Sequence, residues 1–185
     1  MKDRVKIVAF DADDTLWVNE LNFYAFEMEF KALVERHLSA NQASEELFKM
    51  EMKNLQLYGY GAKGMMLCMI ELICKVVDGQ YVAACVSEII RMGQALLQKP
   101  VELLDGVEEV LGELSKRYTL VLATKGDLLD QERKVELSGL ANYFSTVEIM
   151  SNKESRDYQK LIERQGIAPD NFLMVGNSLK SDVIP

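Results

Sequence analysis

The chain has 185 residues, 49% of them hydrophobic and 27% charged, a composition typical of globular proteins and not of disordered ones. Its net charge of −8 argues against a nucleic-acid partner, because phosphate backbones are bound by clustered Lys and Arg, which this sequence does not contain. No apolar run approaches the roughly 20 residues of a membrane span. The residues after Met1 lack an apolar stretch with a small-residue cleavage site, so we expect no export. We therefore expect a cytoplasmic protein with no membrane partner. The three cysteines lack the spacing of a disulfide or zinc framework, so we expect buried, reduced thiols.

The first predicted element is a short apolar run at residues 5–10. Its residues are mostly β-branched or aromatic and are followed at once by acidic residues, which predicts a buried strand. From about Leu21 to Leu97, apolar residues recur at steps of three and four instead, which predicts four helices. The second of these helices should begin either at a capping box formed by Ser39 and Gln42 or at Ser44.

The rest of the chain alternates between helical and strand patterns. Helices are predicted at residues 107–117, 128–138 and 155–165, and strands at residues 119–124, 146–150 and 172–175. Alternating units of this length predict a parallel sheet with helices on both faces. We therefore predict an α/β domain of residues 1–18 and 101–185, with an inserted α-helical domain at residues 19–100.

Polar residues follow each predicted strand, where open parallel sheets bind their ligands. In chain order they are Asp11, Asp13, Asp14 and Thr15, then Thr124 and Lys125, then Lys153, and finally Asn177 and Asp182. Because the carboxyl ends of parallel strands lie along one edge of a sheet, we expect these side chains to converge on one site.

These four groups, in this order, resemble the four motifs of the haloacid dehalogenase (HAD) superfamily across most of the chain. The matching residues are Asp11, Asp13 and Thr15 in the first motif (D-x-D-x-T), Thr124 in the second, Lys153 in the third, and Gly176 and Asp182 in the fourth. Asn177 departs from the pattern, because an acid is usual there. The resemblance implies a parallel-sheet, Rossmann-like HAD core with an inserted α-helical cap.

The resemblance also implies a chemistry. The expected function is that of a Mg²⁺-dependent phosphomonoester hydrolase that acts on a small phosphorylated metabolite through an aspartyl-phosphate on Asp11. Asp13 would act as general acid and base, and its presence favours phosphoryl chemistry over cleavage of a carbon–halogen bond. Thr124 and the amide of Lys125 would bind phosphate, while Lys153 would supply positive charge and orient Asp11.

The expected Mg²⁺ ligands follow from the same resemblance. They are Asp11, the backbone carbonyl of Asp13, Asp182 and, through water, Asn177. A neutral amide at residue 177 removes one negative charge, so we expect weaker metal binding and not a loss of function.

A glycine-rich segment, Gly59 to Gly64, has the spacing G-x-G-x-x-G of a dinucleotide site. Such a site must follow a strand, whereas the residues before this segment have helical spacing, so we reject that interpretation. Two interpretations stay open. The segment is either a plain loop between helices or a cap loop that selects the leaving group, in which case Tyr60 and Lys63 would contact substrate.

Three functions remain possible at this level. The first is a phosphatase for a nucleotide or sugar phosphate, and the second is a phosphomutase of the same superfamily. The third is a non-catalytic phosphate-binding homologue, motivated by Asn177 and by the end of the chain at Pro185. A HAD core normally continues into a further helix and strand, so the resemblance predicts that the C-terminal part of the core is missing. The sequence predicts neither the leaving group nor the oligomeric state.

Overall fold

The structure, a computed structural model, describes residues 4–185. It divides into two compact units. The α/β unit comprises the residues up to Asn19 together with Pro100–Pro185, and the helical unit comprises Glu20–Lys99. None of the helices in the described part of the chain combines the length and the apolar content needed to cross a bilayer.

The helical unit consists of four α-helices. They are α1 (Glu20–Val34), α2 (Ala40–Tyr58), α3 (Ala62–Val76) and α4 (Gly79–Leu97). Each helix contributes buried residues to one shared core, for example Phe30, Leu47, Met69 and Ile89. The core forms because each helix presents an apolar stripe to the others.

The predicted capping box of α2 is confirmed. The Ser39 side chain accepts a hydrogen bond from the Gln42 amide, and the Gln42 side chain accepts one from the Ser39 amide at 3.0 Å. Because a helix precedes Gly59, the structure also agrees with our rejection of a dinucleotide site at the glycine-rich segment.

The expectation that all three thiols are buried was wrong in part. All three cysteines are free, but only Cys68 is fully buried, while Cys85 is partly buried and Cys74 is exposed. Six residues of α-helix turn the chain by about 240° beyond one full turn, so Cys68 and Cys74 lie on different faces of α3.

The α/β unit is built on a four-stranded parallel sheet with the strand order β3-β2-β1-β4. The strands are β1 (Ile7–Phe10), β2 (Thr119–Lys125), β3 (Thr146–Met150) and β4 (Phe172–Val175). In the register of the sheet, Ala9 of β1 lies opposite Val121 of β2 and Met174 of β4. β1 is therefore an inner strand with a neighbour on each side, and Asp11 directly follows it. The sheet confirms the predicted α/β fold class.

Helices cover both faces of this sheet. They are α5 (Val107–Ser115), α6 (Leu128–Leu137) and α7 (Ser155–Arg164). Val8 of β1 packs in one apolar cluster with Leu111 of α5 and Val135 of α6. Ala9, the next residue, faces the opposite way and packs with Leu161 of α7. The alternation follows from the two-residue period of a strand.

Short helical turns complete the unit. Two 3₁₀ turns, Ala141–Tyr143 and Pro169–Asn171, precede β3 and β4, and a π-helical turn at Leu179–Val183 follows β4. The π turn matters most for the site, because it contains Ser181 and Asp182, both of which are buried.

Candidate active site

Asp11, Lys153 and Asp182 form a buried cluster at the carboxyl edge of the sheet. Asp11 directly follows β1, and its amide donates to the carbonyl oxygen of Val175 at the end of β4 at 2.8 Å. The Lys153 Nζ donates to Asp11 Oδ1 at 2.5 Å and to Asp182 Oδ1 at 2.7 Å. One ammonium group thus bridges two carboxylates. Each of the three residues has at most 8% of its surface exposed.

The pKa of Asp11 reflects two opposing influences. Burial raises the pKa of the carboxyl above its ordinary value, and this is the largest influence, while the charge of Lys153 and its hydrogen bond lower it. The nearby Asp182 adds a further increase, and the net pKa shift is upward. The positive charge of Lys153 therefore favours the ionised form of Asp11, against the effect of burial.

Further hydrogen bonds hold Asp182 and the turn that contains it. Its Oδ2 accepts a hydrogen bond from the Ser178 amide at 2.9 Å. The Tyr158 hydroxyl of α7 donates to the Ser181 carbonyl at 2.8 Å and lies 3.4 Å from Asp182 Oδ1. A Cβ on Gly176 would lie 2.4 Å from Asp182 Oδ2, closer than real Cβ contacts. The absence of a side chain at residue 176 is therefore what lets Asp182 approach the end of β4.

Lys125 joins this cluster from the end of β2. Its Nζ donates to Ser181 Oγ at 2.8 Å. Burial lowers the pKa of Lys125, and the neighbouring charge of Lys153 lowers it further, whereas Asp11 and Asp182 oppose the shift. Two lysine side chains thus lie close enough to influence each other beside a pair of carboxylates, an arrangement suited to a ligand with several negative oxygens.

Asp13 has a separate set of partners. Its Oδ1 accepts hydrogen bonds from Trp17 Nε1 and from Lys134 Nζ, both at 2.7 Å. Its Oδ2 accepts one from Gln131 Nε2 at 2.9 Å. The amide oxygen of Gln131 in turn lies 3.4 Å from Thr124 Oγ1. Gln131 therefore links Asp13 to Thr124, which are two of the predicted site residues.

The remaining predicted residues occupy different settings. Asn177 lies two residues after the end of β4 and is exposed. Asp14 accepts a hydrogen bond from the Asn19 amide at 2.9 Å, which gives it a local role in its turn. In the helical unit, Tyr60 lies in the turn between α2 and α3, and Lys63 lies in the first turn of α3. Their predicted roles, like those of the other site residues, stay predictions.

Sequence reasoning missed the side chains that hold the predicted ones in place. These are Trp17, Gln131 and Lys134 around Asp13, and Tyr158 and Ser181 around Asp182 and Lys125. A signal was present for two of them. Gln131 and Lys134 are three residues apart on the helix that follows β2, and such residues share one helix face.

The donor set fits a magnesium ion. Asp11 and Asp182 contact the same ammonium nitrogen, so a single cation lies within reach of both carboxylates. In residues 4–185 there is no cluster of three or more acidic, His or Cys side chains arranged to hold a metal ion. The other ligands would therefore be backbone, amide and water oxygens, which is usual for Mg²⁺, because this ion binds through one or two carboxylates and retains water.

Comparison with known proteins agrees with this geometry. Residues 5–184 match the haloacid dehalogenase-like hydrolase family. A haloacid dehalogenase-like family hydrolase from Xanthomonas campestris has 39% identity and a TM-score of 0.92, over 98% of this chain and 77% of that one. The putative HAD hydrolase YfnB from Bacillus subtilis, bound to magnesium, shares the fold, with a TM-score of 0.63 at 19% identity over 97% of this chain and 83% of that one.

A curated relative matches a shorter stretch. The N-acylneuraminate-9-phosphatase of Mus musculus is 29% identical over 86 residues, which are 44% of this chain and 35% of that enzyme. The match thus spans about a third of the length of that relative. The family assignment depends instead on the match of nearly the whole chain, together with the parallel sheet and the carboxylate–lysine cluster at its carboxyl edge. The chain belongs to the haloacid dehalogenase-like hydrolase family.

Proposed function

We propose that this chain is a Mg²⁺-dependent phosphomonoesterase that forms a phosphoryl ester on Asp11. The observation that supports this most directly is the buried Asp11–Lys153–Asp182 cluster, in which one ammonium group contacts both carboxylates. The similarity to an N-acylneuraminate-9-phosphatase supports phosphate esters as substrates and a sugar phosphate as the first class to test.

The reaction would proceed in two displacements. In the first, a carboxylate oxygen of Asp11 forms a bond to phosphorus while the bond to the ester oxygen breaks, and Asp13 gives a proton to the departing oxygen. In the second, Asp13 takes a proton from water as the water oxygen attacks phosphorus. The bond to Asp11 then breaks and releases phosphate. Thr124, Lys125 and Lys153 would neutralise and orient the phosphoryl oxygens.

Magnesium would be held by the carboxylates of Asp11 and Asp182, by the backbone carbonyl of Asp13 and, through water, by Asn177. The bound ion would supply positive charge that offsets the repulsion between the carboxylates and the phosphate. Because Asn177 is neutral, we expect the affinity for Mg²⁺ to be lower than with an acid at that position.

The function can be tested by measuring release of phosphate from p-nitrophenyl phosphate, with Mg²⁺ and with excess chelator. We expect release with Mg²⁺, none with chelator, and none from Asp11→Asn, which keeps the shape of the side chain but loses the attacking charge. Rapid acid quench followed by mass spectrometry should find the phosphoryl group on the peptide that contains Asp11. Undiminished release in chelator, or full activity of Asp11→Asn, would refute the mechanism.

The same assay separates the two alternative functions. A phosphomutase would return the phosphoryl group to substrate, so an isomerised sugar phosphate would form faster than inorganic phosphate. A non-catalytic homologue would bind phosphate without releasing any from an ester. The phosphatase proposal therefore requires phosphate release to be the dominant outcome.

We further propose that the helical unit acts as a cap and that Tyr60 and Lys63 select the leaving group. The supporting observation is a sharply defined turn around Tyr60, because Gly59 has φ +70° and Gly61 has φ +102°. A Cβ on Gly64 would lie 2.8 Å from the Gly59 carbonyl oxygen, so the turn packs tightly on α3.

This second proposal has its own test. Lys63→Ala should change the order of preference among phosphate esters while p-nitrophenyl phosphate hydrolysis stays within about tenfold of wild type, or ~1.4 kcal/mol. Equal losses on every ester would instead show that Lys63 supports folding or the core site.

A further inference from the structure

The hydrogen bonds of Asp13 are divided unevenly between its two carboxylate oxygens. Oδ1 accepts two, from Trp17 Nε1 and Lys134 Nζ, each at 2.7 Å. Oδ2 accepts one in the described part of the chain, from Gln131 Nε2 at 2.9 Å. Because an ionised carboxylate has about four lone-pair sites, Oδ2 keeps more capacity for a further partner than Oδ1 does.

The donors to Oδ1 are themselves firmly placed. Trp17 is 1% exposed, and its backbone pairs with Asp13 on one side and with Leu103 on the other. The Lys134 side chain is 13% exposed, and its ammonium group also donates to Asn19 Oδ1 at 2.9 Å. Two buried or nearly buried donors with other attachments hold Oδ1 in one position, and this fixes the rotation of the whole carboxylate.

The third donor connects the other oxygen to a residue of the proposed phosphate site. The side chain of Gln131 reaches both Asp13 Oδ2 and the hydroxyl of Thr124, which lies at the end of β2. Thr124 is one of the residues proposed to hold the phosphoryl group. Of the two Asp13 oxygens, Oδ2 is therefore the one that Gln131 connects to the proposed phosphate site.

We propose that Lys134 and Trp17 are positioning residues that anchor Asp13 Oδ1, so that Oδ2 is the oxygen that exchanges the proton with the leaving group and with water. The inference rests on the proposed phosphatase function and assigns different roles to the two carboxylate oxygens of Asp13. In the first displacement the proton on Oδ2 moves to the ester oxygen as the phosphorus–oxygen bond breaks. In the second, Oδ2 receives a proton from the attacking water. Oδ1 keeps its two donors throughout.

The test compares two esters that differ in their need for a proton. An alkyl phosphate requires protonation of its leaving oxygen, whereas p-nitrophenolate departs with little help. Losing general acid catalysis altogether typically costs 10²–10⁴-fold, and a misplaced acid should cost part of that. We therefore expect Lys134→Met to lower kcat on an alkyl phosphate by about tenfold or more, and kcat on p-nitrophenyl phosphate by less than about threefold. KM should be unchanged on both esters.

Two comparison variants make the result specific. Lys134→Arg keeps a charged donor of similar reach and should restore most of the alkyl phosphate activity. Lys116→Met removes a lysine of the same unit that pairs with Glu113 on the exposed surface, and it should leave both activities unchanged. Equal losses of Lys134→Met on both esters, or a change confined to KM, would overturn the inference.

A readout that does not need turnover is also available. Trp17 is the only tryptophan of the chain, and its indole N–H donates to the same Oδ1 as Lys134 does. Lys134→Met should therefore shift the emission of Trp17, and Lys134→Arg should largely reverse the shift. An unchanged emission spectrum in Lys134→Met would contradict the shared anchoring.

If wild type released no phosphate from either ester, the proposed function would fail. An active wild type with an unaffected Lys134→Met would refute the positioning role alone.

Discussion

Replacing Lys153 with Met tests whether one ammonium group holds two buried carboxylates together. Methionine is close to lysine in length and shape, so the change removes the charge with little loss of packing. Asp11 and Asp182 would then face each other without the cation that now lies 2.5 and 2.7 Å from their Oδ1 atoms. The Lys153 side chain is 1% exposed, so water cannot simply take its place.

The size of the effect follows from this burial. Removing one partner of a buried ion pair costs about 3–5 kcal/mol, because the remaining charge is left unpaired. For a chain of this length, each kcal/mol corresponds to roughly 2–4 °C in Tm, so we expect Tm to fall by roughly 10 °C in chelator at neutral pH. At lower pH the loss should shrink, because Asp11 already has a raised pKa and can take up a proton.

Magnesium should partly restore the stability of this variant. A ligand that binds only the native state adds about 2.7 kcal/mol of unfolding free energy at a concentration of 100 Kd. We expect the gain to be larger in Lys153→Met than in wild type, because in the variant the ion also offsets the repulsion between Asp11 and Asp182 that Lys153 offsets in wild type.

Unfolding can be followed by the fluorescence of Trp17, which lies in the same α/β unit, with and without Mg²⁺. Lys116→Met is the control and should change the unfolding free energy by less than about 0.5 kcal/mol, since its ion pair is exposed. Wild-type stability of Lys153→Met in chelator, or equal gains from Mg²⁺ in both proteins, would refute this stabilising role of the Lys153 charge.

Two further predictions concern the same cluster. Gly176→Ala places a Cβ 2.4 Å from Asp182 Oδ2, so it should lower the unfolding free energy by about 1–3 kcal/mol and weaken Mg²⁺ binding, as measured by urea unfolding and calorimetry. In Gly112→Ala the new Cβ meets its nearest neighbour at 3.9 Å, so this control should cost nothing. Burial raises the pKa of Asp11 above 3.8 despite Lys153, so the native state binds this proton more tightly than the unfolded chain does. The resulting stabilisation is complete below pH 3.8 and is lost as the pH rises through the raised pKa. The unfolding free energy of wild type relative to Asp11→Asn should therefore fall as the pH rises above 3.8, and a difference that grew with pH would contradict the shift.

The fold was largely predictable because its signals are local. The period of apolar residues distinguishes β1 from the helices of the helical unit, and of the two starts of α2 proposed from the sequence, Ser39 is the one observed. Element ends were less certain. β2 extends through Lys125, and α5 ends at Ser115, two residues before the predicted end. The ends of elements depend on tertiary contacts, which a periodic pattern does not contain.

The sequence by itself determined which residues follow the strands, and therefore that Asp11, Lys153 and Asp182 would meet at one edge of a parallel sheet. Only the tertiary structure showed that Lys153 bridges both carboxylates and that Asp13 is held by Lys134. The physical reason is distance along the chain. Lys153 lies 142 residues from Asp11, and Lys134 lies 121 residues from Asp13, so no local pattern relates either pair. Burial and charge pairing, which set the pKa of Asp11 and the orientation of Asp13, arise only when these distant segments pack together.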